Sequence, residues 1–248
     1  MPGIDSLTRA VYESTNLVFF GGAGVSTESG LKDYRSKDGI YETARNYGRP
    51  PEEILSHECL YEAPELFYRF FRDYFLGSAS PNVTHRVLAA LESSKRRVSI
   101  VTQNIDGLHQ LAGSTRVYEL HGSASRYACT GCGKRFTRED VIESMTNVPR
   151  CDKCGSMIRP LVTMYGETLD DVVVTGAVKA ISQADLLLIG GTSLAVYPAA
   201  SFVRLFHGDT LAIINRDPTP YDNRCDIVIH DSLGNVFTAL ANTMRLSF

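Results

Sequence analysis

The sequence predicts an α/β fold in which a parallel sheet carries a smaller inserted lobe. Three observations support this class: apolar runs alternate with amphipathic stretches, several runs are apolar without alternation, and two long segments interrupt the pattern. Strands that alternate with helices favour a parallel sheet, and continuous apolar runs are typical of strands covered on both faces. The 248 residues, 44% apolar and 21% charged, suit one large domain or one domain with a small module.

Six apolar runs are the expected strands, at residues 17–20, 98–102, 117–120, 185–191, 211–214 and 227–229. Between them, residues 81–92 and 169–182 place apolar side chains at helical spacing. Small or polar residues end each strand, and this edge is where open parallel sheets bind ligands. The segments 32–80 and 126–159 interrupt the alternation, and we expect them to form the smaller lobe.

Composition and the N-terminal sequence exclude several other classes. The chain has 25 Lys and Arg against 28 Asp and Glu, a net charge of −3, whereas a dedicated nucleic-acid binder usually has a basic excess. No apolar run approaches the roughly 18 residues that span a bilayer, and no secretory signal precedes the first strand. We therefore expect a cytoplasmic protein with no membrane and no direct nucleic-acid partner.

A glycine-rich turn, residues 21–24, follows the first expected strand. Small residues let the backbone approach phosphates, and the N-terminus of a following helix offers free N–H groups. The dinucleotide pattern Gly-x-Gly-x-x-Gly is present only in part, because its third glycine is missing. Taken alone, the turn is equally consistent with an ordinary strand-to-helix connection.

Four of the six cysteines form two close pairs, with the spacing Cys129-x2-Cys132-x18-Cys151-x2-Cys154. This spacing favours one zinc ion held by four thiolates, and the ion is structural because no ligand position is left open. The alternatives are two disulfides, which a reducing compartment disfavours, or a chance arrangement of cysteines. Cys59 and Cys225 stand alone and are expected to be packing residues.

Polar residues at the ends of the second and third strands are candidates for catalysis. His121 ends the third run, and a histidine that titrates near neutrality is the usual general base. Asn104 and Asp106 follow the second run, where the alternative is that they cap a turn. For Asp33 and Arg35, after the glycine turn, the alternative is a surface ion pair.

Seven segments and the paired cysteines together resemble one family, the sirtuins, which are NAD-dependent protein lysine deacylases. The segments are 21–30, 32–35, 102–106, 120–122, 166–167, 191–193 and 215–216, and the resemblance runs from about residue 5 to the C-terminus. It implies a Rossmann-like large lobe of about residues 1–31, 81–125 and 160–248. The small lobe would combine a cofactor loop and helical insertion, 32–80, with the four-cysteine zinc module, 126–159.

The resemblance also implies the reaction. The expected activity is deacetylation of acetylated lysine in proteins or peptides, giving free lysine, nicotinamide and 2′-O-acetyl-ADP-ribose, with NAD as cofactor and one structural zinc. The alternatives are an ADP-ribosyltransferase or a longer-chain deacylase that uses the same NAD site, and, from another class, a zinc-ribbon binding module. Retention of His121 favours deacylation. We expect a monomer.

Site residues follow from the resemblance position by position. His121, Asn104 and Asp106 are the expected catalytic residues, with His121 as general base and Asp106 holding the nicotinamide carboxamide. The expected cofactor-binding residues are Gly22, Ala23, Gly24, Thr27, Asp33, Tyr34, Arg35, Gln103, Asn104, Ile105, Asp106, His121, Gly191, Thr192, Ser193, Asn215, Arg216 and Asp231. The expected peptide-binding residues are Thr163, Met164, Tyr165, Gly166, Glu167, Leu194 and Val196.

Several positions depart from the family pattern. Lys32 replaces a proline and Tyr34 a phenylalanine in the cofactor loop, so we expect altered loop order with activity retained. Thr163 replaces a commonly apolar tunnel residue, and Tyr165 replaces a phenylalanine. Members that prefer succinyl-lysine carry Tyr-x-x-Arg on a small-lobe helix.

In this chain Tyr68 is followed three places on by Phe71, and Arg72 comes one place late. A shift of one residue turns a helical side chain by roughly 100°. Acidic acyl groups are therefore expected to rank second to acetyl, and Tyr68 and Phe71 are expected to pack in the core.

Overall fold

The computed structural model describes residues 3–33, 39–94, 97–144 and 147–247, and two sheets organise this part of the chain. The strands are β1 (Asn16–Gly21), β2 (Arg97–Thr102), β3 (Val117–Glu119), β4 (Gly122–Cys129), β5 (Arg135–Thr137), β6 (Ile158–Val162), β7 (Leu186–Gly190), β8 (Thr210–Ile214) and β9 (Ile227–Ile229). Six of them form a parallel sheet in the order β3-β2-β1-β7-β8-β9. The other three form an antiparallel sheet in the order β5-β4-β6. The expected α/β class is confirmed, and each of the six expected strands is present to within one residue at either end.

Helices flank both sheets. They are α1 (Ile4–Glu13), α2 (Ile40–Ala44), α3 (Pro51–Ile54), α4 (His57–Glu62), α5 (Pro64–Phe75), α6 (Val83–Ser93), α7 (Leu108–Leu111), α8 (Arg138–Ser144), α9 (Asp171–Ser182) and α10 (Leu233–Met244). The two amphipathic stretches of the sequence correspond to α6 and α9. Among the described residues, no helix has both the length and the apolarity that crossing a membrane requires.

The central strands β1 and β7 are buried on both faces because nearly all of their residues are apolar. Leu17 and Phe19 of β1 pack into one cluster with α1, α6 and α10, whereas Val18 and Phe20 pack into a second cluster with α9. Successive strand residues point to opposite faces, so an unbroken apolar run fills both clusters at once.

A third cluster joins the helices α2 to α5 with α8 and the antiparallel sheet. Its largest members are aromatic: Phe67, Tyr68, Phe70 and Phe71 of α5 are all buried and meet Tyr127 of β4. Tyr68 donates a hydrogen bond to the carbonyl of Ile158. The aromatic residues of α5 are therefore packing residues of this smaller unit.

The connection after β1 differs from the expected one. Two short 3₁₀ turns, Ala23–Val25 and Thr27–Ser29, follow the strand in place of an α-helix. The second turn ends at Gly30, whose left-handed conformation (φ +84°) stops the helical path. Most backbone N–H groups of this segment are bonded locally: the Val25 amide donates to Gly22 and the Ser26 amide to Ala23.

Candidate functional site

A cavity of about 1280 Å³ lies between the carboxyl edge of the parallel sheet and the smaller lobe. This is more than the roughly 300–1,000 Å³ of a typical small-molecule site, so it has room for a dinucleotide and a second ligand. The expected cofactor residues that line it are Gly22, Ala23, Gly24, Thr27, Asp33, Gln103, Asn104, Ile105, Asp106, His121, Gly191, Thr192, Ser193, Asn215, Arg216 and Asp231. The remaining two, Tyr34 and Arg35, lie outside the described residues.

At the floor of the cavity, the glycine turn that contains Gly24 packs closely against the one that contains Gly191. The Gly24 amide donates to the carbonyl of Gly191 at 2.9 Å, and a Cβ on Gly24 would lie 2.8 Å from the Gly191 Cα. Gly191 has a φ of +59°, and a Cβ there would meet the Val25 nitrogen at 2.5 Å. Only glycine fits at both positions, and the resulting bare backbone can approach a phosphate closely.

Ser26 joins two of the expected catalytic side chains. Its hydroxyl donates to Asp106 Oδ2 at 2.7 Å and accepts from Asn104 Nδ2 at 3.1 Å. Ser26 lines the cavity and is only 2% exposed. Sequence reasoning did not single it out, although it is a hydroxyl residue directly after the glycine turn.

Asp106 both caps a turn and lines the cavity, so the two roles considered for it are compatible. Its Oδ1 accepts from the Leu108 amide at 2.9 Å, the capping contact of a turn, while the carboxyl group also lines the cavity. Burial raises the pKa of Asp106, and the hydrogen bonds from Leu108 and Ser26 oppose that rise. A buried carboxyl group beside a neutral hydroxyl can hold an amide of a bound ligand.

His121 has a defined tautomer. Its Nδ1 lies 2.8 Å from the carbonyl of Gln103, and because a carbonyl only accepts, Nδ1 must carry the proton. Nε2 is then the basic nitrogen, on a ring that lines the cavity. Burial lowers the pKa of His121 below its usual value, with the Gln103 hydrogen bond opposing. A neutral imidazole near pH 7 is a competent general base.

The expected peptide-binding residues form another wall of the cavity. Lining side chains from this set are Thr163, Met164, Tyr165, Gly166, Glu167 and Val196. Leu194, by contrast, is 4% exposed and packs in the cluster beneath the sheet edge. The Thr163 amide donates to the carbonyl of His121 at 3.0 Å, so this wall is attached directly to the candidate base.

Tyr68 and Arg72, the residues compared with the Tyr-x-x-Arg pair of succinyl-preferring members, do not form such a pair at the cavity. Tyr68 is 1% exposed and bonded to Ile158, and Arg72 donates to the carbonyl of Asn147 at 3.4 Å. Phe71 lines the cavity, whereas Tyr68 and Arg72 do not. The expected packing role of Tyr68 is consistent with this placement.

The four paired cysteines converge outside the cavity. Their sulfur atoms all lie within 4.8 Å of one another, with Cys129 and Cys154 3.3 Å apart and Cys132 and Cys151 3.7 Å apart. All four are free thiols, and Zn–S bonds of about 2.3 Å in a tetrahedron place sulfur atoms about 3.8 Å apart. The amide of Gly131 also points at Cys129 Sγ, at 3.4 Å, as expected beside a thiolate. The donor set therefore fits one structural zinc.

Known proteins resemble this chain over nearly its whole length. The family model described as "Sir2 family" matches residues 22–198. An "NAD-dependent protein deacetylase" of Clostridium acetobutylicum is 52% identical over 234 residues, which cover 94% of this chain and 96% of that protein. A solved Sir2 structure with deacetylated p53 peptide and 3′-O-acetyl-ADP-ribose has a TM-score of 0.90 and 34% identity, covering 98% of this chain and 99% of that one. Another, with p53 peptide and NAD⁺, has a TM-score of 0.86 and 35% identity at the same coverage.

Proposed function

This chain belongs to the Sir2 family and is an NAD-dependent protein deacetylase, and from that premise we propose how its residues carry the reaction. The observation that carries the proposal is the tautomer of His121, whose Nδ1 is held by Gln103 while Nε2 is left basic. Deacetylation by this chemistry needs a base inside a site that binds NAD and an acyl-lysine together.

When bound, NAD would supply a ribose whose C1′ exchanges nicotinamide for the acyl oxygen and whose 2′-oxygen finally carries the acetyl group. With one water consumed, the products are nicotinamide, free lysine and 2′-O-acetyl-ADP-ribose. His121 Nε2 takes a proton from a ribose hydroxyl, and a positioned base of this kind is worth roughly 10²–10⁴-fold in rate. Asp106 holds the nicotinamide carboxamide in the pocket that it shares with Asn104 and Ser26. The closed zinc site keeps the smaller lobe folded and takes no part in the chemistry.

The rest of the dinucleotide would extend along the sheet edge. The backbone of Ala23 and Gly24, with the side chain of Thr27, faces the phosphates. Thr192, Ser193 and Asn215 hold the phosphate and adenosine end, with Asp231 and Arg216 close to it. The support for this placement is that the lining residues follow the carboxyl ends of β1, β7 and β8, where parallel sheets bind nucleotides.

Acetyl-lysine peptides are the substrates, and we propose that the wall formed by residues 163–167 binds their backbone as an added strand. Met164 and Phe71, both apolar and on the cavity, favour a short uncharged acyl group. Tyr68 and Arg72 do not line the cavity, and the Tyr68 hydroxyl is bonded to the Ile158 carbonyl, so this pair is not placed to bind an acidic acyl chain. We propose acetyl as the preferred group, with longer chains as the second candidate because of the cavity's size.

We further propose the two-lobe division at about residues 31/32, 80/81, 125/126 and 159/160. A separate apolar cluster supports the existence of a smaller lobe, and this cluster also takes in Ala124 and Met164. A monomer in the cytoplasm, with no direct nucleic-acid partner, fits the free thiols of the zinc module and the net charge of −3.

Mass spectrometry of acetyl-lysine peptides tests the proposal. The protein is incubated with a peptide with and without NAD, beside His121→Ala. We expect loss of the acetyl group with NAD only, together with 2′-O-acetyl-ADP-ribose, and retention of the group by the variant. An acetyl group lost without NAD, or lost equally with His121→Ala, contradicts it. ADP-ribose transferred to protein would instead indicate the transferase alternative, and a panel of acylated peptides ranks the chain lengths.

A further inference from the structure

Asn82, a residue outside the cavity, connects α6 to the glycine-rich connection after β1. It is the N-cap of α6, and its Oδ1 accepts from the Thr84 amide at 3.0 Å. Its Nδ2 points the other way and donates to the carbonyl of Val25 at 2.8 Å and to Ser29 Oγ at 3.0 Å. One side-chain amide therefore caps a helix and holds both 3₁₀ turns.

Ser26 lies between the two residues that Asn82 holds. Val25 ends the first turn and Ser29 ends the second, so the backbone of Ser26 is fixed on both sides. The Ser26 hydroxyl in turn bridges Asn104 and Asp106. The connection thus runs from α6 through Asn82 to Val25 and Ser29, along the backbone to Ser26, and from the Ser26 hydroxyl to the carboxyl group at the nicotinamide end of the cavity.

We propose that Asn82 is a positioning residue for the NAD site. Its amide keeps Ser26 where the hydroxyl can bridge Asn104 and Asp106 before NAD arrives, so that binding does not have to order this segment. The inference rests on the proposed function, because it concerns the same cofactor site.

The chemistry of the amide explains why asparagine suits this position. Capping needs only an acceptor, which serine supplies equally well. Holding Val25 and Ser29 needs an additional donor on the opposite side of the same group, which serine lacks and the amide nitrogen provides. Asn82→Ser therefore removes the clamp on the turns and keeps the helix cap.

Steady-state kinetics of Asn82→Ser test the inference. We expect the KM for NAD and the directly titrated Kd to rise about tenfold, with kcat and the KM for the peptide within about twofold of the parent. A residue that only stabilised the fold would lower the melting temperature and the active fraction, which lowers kcat without moving the KM for NAD. Ser29→Ala, which removes one of the two clamp contacts, should give a smaller rise of the same kind.

Ser94→Ala is the matched control, because Ser94 caps the other end of α6 with a hydrogen bond to the Leu91 carbonyl. It should lower stability without changing NAD binding. Unchanged NAD binding in Asn82→Ser overturns the inference, and so does an equal rise in Ser94→Ala, which would mean that any loosening of α6 suffices. If the parent protein shows no NAD-dependent deacetylation, it is the proposed function that fails.

Discussion

The guanidinium of Arg159 donates to both carboxylate oxygens of Glu167, at 2.7 and 2.8 Å. Glu167 also accepts from the Met164 amide at 3.0 Å, and its Oε1 lies 2.9 Å from His57 Nδ1. Burial raises the pKa of Glu167, but the hydrogen bonds from Arg159 and His57 outweigh it and hold the pKa at about 2. This carboxylate fixes the wall that we propose binds the peptide.

Glu167→Gln should loosen residues 163–167 and so weaken peptide binding. The substitution leaves the half-buried Arg159 without its counter-charge and replaces one of the two carboxylate oxygens that accept from it. We expect the KM for the acetylated peptide to rise about tenfold while the KM for NAD stays near the parent value, measured with each substrate varied in turn. Glu42→Gln, which breaks the exposed pair with Arg45, is the control and should change neither constant. Equal effects of the two substitutions would contradict the assigned role of Glu167.

His121→Ala should lower kcat by roughly 10²–10⁴-fold without unfolding the protein. The parent enzyme adds a pH test. Because burial lowers the pKa of His121, the base stays neutral at pH 7, and the acidic limb of the kcat profile should lie below about pH 6.5. An acidic limb above this value, or a profile that survives in His121→Ala, would show that another group is the base.

Removal of one zinc ligand should abolish activity indirectly, by destabilising the smaller lobe. Cys129→Ala breaks a four-thiolate site that lies outside the cavity, so we expect zinc content to fall from one ion per chain to none and the smaller lobe to lose stability. Elemental analysis and thermal unfolding measure both effects. Cys225→Ala is the control, because that cysteine lies apart from the cluster and should leave the metal in place. A zinc-free parent would remove the basis for this expectation.

Two buried histidines should make the protein sensitive to mild acid. Burial lowers the pKa of His85 to about 4 and that of His109, whose ring centroid lies 4.7 Å from the His85 ring, to about 3. Both stay neutral in the folded state while the unfolded chain takes up protons below about pH 6.5. Their contribution to stability is therefore complete above pH 6.5 and falls as the pH drops towards 4.

At pH 5, about 1.5 pH units below the ordinary histidine pKa, each of these histidines should lower the free energy of unfolding by about 2 kcal/mol, because each pH unit over which only the unfolded chain binds the proton is worth about 1.36 kcal/mol. Denaturant titrations at pH 7 and pH 5 measure the sum. His109→Leu removes one of these groups and should reduce the loss by about 2 kcal/mol. An equal loss in the variant would mean that other groups are responsible. Glu167 acts in a separate window, since its contribution declines only below about pH 4.5.

Sequence reasoning succeeded where the signal is local. The strands of the parallel sheet are short, mainly apolar runs, and the zinc ligands are two close pairs, so both could be identified without knowing the fold. Ser26 was missed because its role depends on Asp106, a residue 80 positions away. The α-helix expected after the glycine turn is replaced by two 3₁₀ turns, whose Val25 and Ser29 are held by Asn82 from another part of the chain. These features depend on contacts between segments that are far apart in the sequence, and the spacing of apolar residues does not predict such contacts.

The strand β4 begins at Gly122, directly after His121, and ends at the zinc ligand Cys129. A Cβ on Gly122 would lie 2.2 Å from the carbonyl of Leu161, so the chain is tightly constrained where it leaves the histidine. Oxidants that convert the thiolates to disulfides would expel the metal and release one end of this strand. Oxidation should therefore inactivate the enzyme although no cysteine of the described residues lines the cavity, and reductant with added zinc should restore activity.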